Sequence, residues 1–390
     1  MNLARTLKNL KTQFPNFKTL SGSIRNATNL RNGAEHSRLI EGKPVGSNPG
    51  ALRMFFYVPA DLTAPPALVV VLHGGLQTAA SYDVGAGWST LADRYGFALL
   101  MPEQQRSNNA LNCFNWFQSG DSERGNGECL SIRQMVDQMT LDHNIDRSRV
   151  FITGLSAGGA MTSVMLATYP EKFAAGAVIA GLPYGAATNV QEAFHVMAQA
   201  PARSSREWGE RVRCASPHKG PWPKMSVWHG SADETVSALN ADAIIRQWTD
   251  LHDLSLTPTS AETVDGYPRQ VWRNASGEIM IESYTVSGMG HGTPLATGGG
   301  DQQCGAAGPY LLEVGVSSSY HIAKFFGLTG AARKATKIDN TRLLPSCSPA
   351  TQKRTPAYTG IDELRAGRRS IDIGAVITKA LTAAGLMKSP

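Results

Sequence analysis

An α/β fold, a mainly parallel sheet wrapped by helices, is what this 390-residue sequence predicts, on two observations. Short apolar runs of buried-strand length recur between residues 67 and 288, and stretches with helical spacing of apolar residues lie between them. Parallel strands covered on both faces read as near-continuous apolar runs, which is how these read. The length suffices for one large domain.

Taken in order, residues 1–45 are polar and without a sustained period, which predicts an irregular basic extension. ALVVVLHGG (67–75) predicts the first strand, GFALLMPEQ (96–104) the second, RVFITG (149–154) the third, FAAGAVIAG (173–181) the fourth and KMSVWHG (224–230) the fifth. IMIESYTVSG (279–288) predicts a sixth, with the alternation of a sheet edge. Ser131 and Gln134 read as a capping box ahead of IRQMVDQMTLDH, where Ile132, Met135, Val136 and Met139 recur at helical spacing. NADAIIRQWTDLH (240–252) repeats that spacing. Residues 190–222, polar and aromatic between two strands, read as an insertion over the sheet and a lid. The main domain is therefore expected over 46–330. After it, 331–390 read as a basic linker ending in an amphipathic helix over 374–387.

The net charge of +6 is unevenly spread. Residues 1–45 hold 8 Lys/Arg against 2 Asp/Glu, and 331–390 hold 11 against 4, so the middle carries −7. Basic ends suit a polymer granule, an anionic surface or a partner, or serve as solvated tails. They lack the interleaved aromatics of nucleic-acid binding, so none is expected. No run approaches the roughly 20 apolar residues of a membrane span. The basic N-terminus lacks the apolar core of a secretory signal, so a cytoplasmic location is expected, secretion remaining open. Five cysteines are too scattered for a disulfide scaffold or a Cys-x-x-Cys metal pair. Cys113 and Cys129 flank a polar loop they could close, and in a reducing compartment they would stay thiols.

The chemistry concentrates where the third strand runs into Gly154-Leu155-Ser156-Ala157-Gly158 and then a helix. Glycines two before and two after a serine allow a sharp strand-to-helix turn that projects its hydroxyl at the strand's end, the nucleophile elbow. A general base must follow. In this chain order an acid precedes a histidine, and Asp233 after the fifth strand and His291 after the sixth fit. Both sit where loops leave the sheet's C-terminal edge. Glu234, Asp242, His229 and His252 are weaker candidates: a neighbour pointing elsewhere, a helix face, a strand end and a helix end. An oxyanion hole needs two backbone donors, expected from Ala157 and from Gly75 in LHGGLQT, with Leu76 beside it and His73 holding the loop. Phe114, Trp116, Phe117 and Tyr184 serve either as an apolar substrate subsite, with Leu76, or as packing. No metal or organic cofactor is called for.

The stretches VVVLHGGLQTAASYD, LLMPEQQRSNNALNCFNWF, RVFITGLSAGGAMTSVMLATYPEKFAAGAVIAGLPYG, VWHGSADETV and GMGHGTPL resemble the polyhydroxybutyrate depolymerase family of α/β-hydrolase esterases, relatives of feruloyl and acetylxylan esterases. The resemblance spans residues 50 to 330 in family order. It implies Ser156 as nucleophile, Asp233 as acid and His291 as base, acting on short-chain hydroxyacid esters, a polyester of the poly(3-hydroxybutyrate) type or its oligomers. Many relatives have cysteine where this chain has Gly75, so a disulfide tying that loop is not implied. The resemblance covers neither basic end and no polymer-binding domain. Alternatives are a small-molecule aryl or feruloyl-type esterase and, more remotely, a serine peptidase, an acyltransferase or a non-catalytic binding protein.

Overall fold

The structure is a computed structural model and describes residues 37–60, 62 and 65–330. The N-terminal extension through residue 36 and the C-terminal linker and helix therefore lie outside the described residues.

Six parallel strands form the centre of a ten-stranded sheet: β3 (Leu68–Leu72), β4 (Ala98–Glu103), β5 (Val150–Leu155), β6 (Ala175–Ile179), β7 (Lys224–Gly230) and β10 (Ile279–Val286), in the order β4-β3-β5-β6-β7-β10. They are the six strands legible in the sequence. β1 (Ile40–Gly42) and β2 (Arg53–Tyr57) extend one side antiparallel, and β9 (Tyr267–Arg273) and β8 (Ser260–Val264) the other. Period-two alternation sends Leu68, Val70 and Leu72 into one core and Val69 and Val71 into a second on the opposite face.

Nine helices cover these faces among the described residues: α1 (Ala79–Ala86), α2 (Trp88–Tyr95), α3 (Ser119–Ser122), α4 (Gly127–Asp142), α5 (Ala157–Thr168), α6 (Val190–Ala198), α7 (Ser205–Ala215), α8 (Leu239–Leu251) and α9 (Ser318–Phe325). Helices α4, α5, α7 and α8 bury Ile132, Met161, Trp208 and Ile244 on the first face. On the second, α1, α2 and α9 bury Tyr82, Trp88 and Ile322. The segment 190–222 holds α6 and α7, where Trp208 is fully buried and Gln247 of α8 donates to its carbonyl at 3.0 Å.

Three expectations are corrected. β10 is not an edge: it pairs with β7 on one side and β9 on the other. Its alternation misleads because Glu282 is buried, accepting from Arg269 Nε at 2.9 Å, Arg269 Nη2 at 2.7 Å and Ser226 Oγ at 2.8 Å. Ser131 caps nothing. Helix α4 begins after Asn126, and the buried Ser131 hydroxyl, one turn in, donates to Gly127 O and accepts from Gly50 N. The segment 1–45 is not irregular throughout, since β1 lies within it.

Parallel register delivers the site. Leu72 of β3 lies opposite Gly154 of β5, and Gly230 of β7 opposite Val286 of β10. The loops that follow these four strands leave the same edge, where open α/β sheets assemble their ligand sites.

Candidate active site

Ser156 sits between β5 and α5 with φ 56° and ψ −116°, a backbone conformation that L side chains seldom adopt. Two hydrogen bonds hold it there: Ser156 N donates to Ile179 O at 2.9 Å, and Ser156 O accepts from Ala160 N at 2.8 Å. The flanking glycines are required by close approach. A Cβ on Gly154 would lie 2.4 Å from Gly158 O, and one on Gly158 would lie 2.3 Å from Leu72 O and 2.5 Å from His73 O. Gly158→Ala is therefore expected to push α5 off β3 and to destabilise by about 1–3 kcal/mol or more, because main chain cannot yield as a side chain does. Urea midpoints together with kcat/KM check it. A variant of native stability and full activity would contradict the close approach.

Three side chains from three loops meet at this turn. His291 Nε2 is 2.9 Å from Ser156 Oγ, and its Nδ1 is 2.7 Å from Asp233 Oδ2. With Nδ1 donating to the carboxylate, the tautomer leaves Nε2 free to accept the serine proton. Asp233's side chain is fully buried. Burial alone would weaken it as an acid and push its pKa up. Hydrogen bonds from His229 and His291, and the N–H of Val236, outweigh that and hold the carboxyl well below the usual carboxylate range. The other oxygen, Oδ1, accepts from Thr235 N and Val236 N at 2.9 Å each.

Candidate oxyanion donors come from two segments. Ala157 opens α5, whose N-terminal N–H groups carry the positive end of the helix dipole. In the loop after β3, Gly74 N donates to Gln77 Oε1 at 2.9 Å, Leu76 N to Leu111 O at 2.6 Å and Gln77 N to Gly74 O at 3.3 Å. With those three committed, Gly75 N is the loop's candidate, ahead of Leu76.

The same loop rests on a buried polar network. Burial pulls His73 down to about 4, so the neutral ring donates from Nδ1 to Gly74 O at 2.8 Å and accepts Gln104 N at Nε2 at 3.1 Å. The Gln104 amide donates to Cys113 O and to Glu128 Oε1, and Glu128 Oε2 accepts Asn115 N at 2.8 Å. Burial, followed by the nearby Asp121 charge, pushes Glu128 up to about 8. A carboxyl raised in the folded state stabilises fully below the unfolded value near 4.5, and that contribution is lost as pH rises through about 8. Wild-type stability should therefore carry a falling component between those limits, which Glu128→Gln should remove even if absolute stability drops. Urea midpoints across pH measure it. An unchanged slope would contradict the burial argument.

Other sequence expectations land as follows. Phe114 is fully buried against His73, with ring centroids 5.0 Å apart, so it packs. Trp116 is 7 % exposed and meets Phe117 edge-on at 5.4 Å. Tyr184 is half-buried, its N–H held by Gln247 Oε1 at 3.0 Å. His252 bonds Pro223 O at 3.1 Å, a structural role. Cys113 and Cys129 are free thiols, and a Cβ at Gly75 would come within 2.6 Å of Cys113 Sγ. Three contributors escaped sequence reasoning. His229, in the sequence only a weaker candidate at a strand end, has its Nε2 2.8 Å from Val236 O and 3.3 Å from Asp233 Oδ2. Its position four residues before Asp233 was the available signal. Gln77 holds the oxyanion loop, and the Tyr310 ring packs on His291 with centroids 5.9 Å apart. Neither carried a pattern.

Comparison with known proteins gives the family. The family described as Esterase PHB depolymerase matches residues 52–264. "Poly(3-hydroxyalkanoate) depolymerase C" of Paucimonas lemoignei is 49% identical over 286 residues, covering 73% of this chain and 69% of that protein. "Acetylxylan esterase" of Coprinopsis cinerea is 35% identical, covering 66% of this chain and 70% of its own. A solved acetyl xylan esterase from Aspergillus awamori superposes with a TM-score of 0.62 at 24% identity, over 74% of this chain and 99% of that one, which speaks to the fold. No helix among the described residues is long and apolar enough to cross a membrane. With a mainly parallel sheet flanked by helices and relatives of this kind, the chain belongs to the Esterase PHB depolymerase family of α/β-hydrolase carboxylic ester hydrolases.

Proposed function

We propose that this chain cleaves polyesters of the poly(3-hydroxyalkanoate) type, or their oligomers, through an acyl-enzyme on Ser156. The observation that carries the mechanism is the hydrogen-bonded chain from Ser156 Oγ through His291 to Asp233 at a strained strand-to-helix turn. His291 Nε2 takes the serine proton as Oγ attacks the ester carbon, while Asp233 stays ionised and steadies the imidazolium. The N–H groups of Gly75 and Ala157 stabilise the oxyanion of the tetrahedral intermediate. As it collapses, His291 gives the proton to the departing alcohol oxygen. Water, deprotonated by the same imidazole, then attacks the acyl-enzyme and releases the acid and the serine. Leu76, Trp116 and Tyr184 serve in this reading as apolar lining for the substrate. The substrate class is supported by the depolymerase relative at 49% identity.

A second reading, a small-molecule aryl or acetyl esterase, is favoured by the acetylxylan and feruloyl esterases at 35% and 33% identity. Release of soluble hydroxyacid from amorphous poly(3-hydroxybutyrate), run beside a short p-nitrophenyl ester with Ser156→Ala as blank, separates the two. Serine-dependent release from the polymer supports the first. Turnover of the small ester alone supports the second.

A further inference from the structure

We infer that Tyr310 forms the wall of the leaving-group side of the site and selects which alcohol portions of an ester are accepted. The inference rests on His291 acting as the general acid of the reaction just described. In that step the departing alcohol oxygen must sit at His291 Nε2, so a partly exposed ring packed on the His291 imidazole is placed to border the path the alcohol takes.

Tyr310 packs there. Its ring meets the His291 imidazole at 78°, edge to face, with 5.9 Å between centroids, and the residue is only partly buried. A half-exposed aromatic against a catalytic imidazole offers an apolar surface to a ligand at little cost in side-chain freedom.

The backbone marks the same residue. Tyr310 has φ 60°, which is rare for a bulky side chain and persists only where the surroundings dictate it. They do so here. Tyr310 O accepts Thr293 N at 2.8 Å, two residues past His291, and a Cβ on Gly292 would lie 2.8 Å from that same oxygen. Two short parallel strands, β11 (Thr293–Leu295) and β12 (Leu311–Glu313), continue the attachment. The loop carrying Tyr310 is thus fastened to the loop carrying His291, and the two rings hold their relation through the main chain. A glycine or asparagine would suit the backbone better, so the tyrosine here stands against local preference.

The test uses the full chain and esters that share one acyl group, 3-hydroxybutyryl, on alcohols from methanol to the hydroxyl of a second hydroxybutyrate unit and to benzyl alcohol. Variants are Tyr310→Gly, which removes the ring and relieves the backbone, Tyr310→Asn, which tolerates the same φ, and Tyr310→Phe, which keeps the ring. For the two ring-less variants, kcat/KM is expected to fall about tenfold on the larger alcohols and less than about twofold on the methyl ester. Tyr310→Phe should stay near wild type. Breakdown of the common acyl-enzyme, from which the alcohol has left, should be unchanged in all three.

An equal loss on every ester, with slowed acyl-enzyme breakdown, would make Tyr310 a positioning residue for His291 and overturn the inference. Unchanged kcat/KM on every alcohol would overturn it too. Failure of the underlying reaction shows separately, as a wild type that forms no acyl-enzyme, and the inference falls with it.

Discussion

Ser156→Ala is expected to lower kcat on any ester by about a millionfold while leaving the unfolding free energy from urea titration within about 0.5 kcal/mol of wild type or above it. The rate loss follows from deleting the atom that His291 Nε2 faces at 2.9 Å. Donors at Gly75 and Ala157 would remain and polarise a bound ester, so residual turnover above water is part of the expectation. Stability should hold because alanine keeps the Cβ and leaves in place the backbone bonds to Ile179 and Ala160. Both positions on the scale are informative. A variant losing only tenfold in rate would make another group the nucleophile.

Asp233→Asn is the second large effect, about ten-thousandfold in kcat with KM little changed. The carboxylate accepts from His291 Nδ1, from His229 and from two backbone N–H groups, so four donors converge on two oxygens. An asparagine offers one oxygen and one NH2. Oriented with its NH2 toward His291, it favours the tautomer with the proton on Nε2, which cannot take the serine proton. Because native Asp233 lies below the ordinary carboxylate range, its stabilising contribution is present above an unfolded value near 3.9 and is lost as pH falls below it. Wild type should therefore lose more stability than Asp233→Asn between pH 5 and roughly pH 2. Stopped-flow assays and urea titrations at several pH values measure both parts. A rate within tenfold of wild type would remove Asp233 from the mechanism.

Much of this site is legible in the sequence because its parts are tied to strand ends. The elbow needs glycines at 154 and 158 for the close approach of main chain to main chain, and that requirement is local enough to read as a motif. Asp233 and His291 follow β7 and β10 directly, so locating the strands locates them. The six parallel strands show because both faces are buried. The hairpin of β8 and β9 does not, since SAETV lies almost wholly exposed and YPRQVWR only partly buried, so both stay polar; its Asp265-Gly266 turn, both residues at positive φ, was the readable part. Burial of Glu282 beside Arg269 inverted the reading of β10, because an ion pair lets a charged residue occupy a core position. Ser131 misled for a similar reason. Its hydroxyl is satisfied across the fold by Gly50, 81 residues away, and a contact at that separation leaves no local pattern. His229 and Tyr310 belong to the same class, acting on neighbours that only the fold brings near.

The most direct measurement is a rapid-mixing experiment with p-nitrophenyl acetate at enzyme concentrations near the substrate's, quenched in acid and followed by intact and peptide mass. The account predicts a burst of nitrophenol equal to the enzyme present and a 42 Da (about one acetyl) adduct on the peptide that carries Ser156, absent from Ser156→Ala. Linear release with no adduct, or an adduct on another residue that persists in the variant, would contradict it.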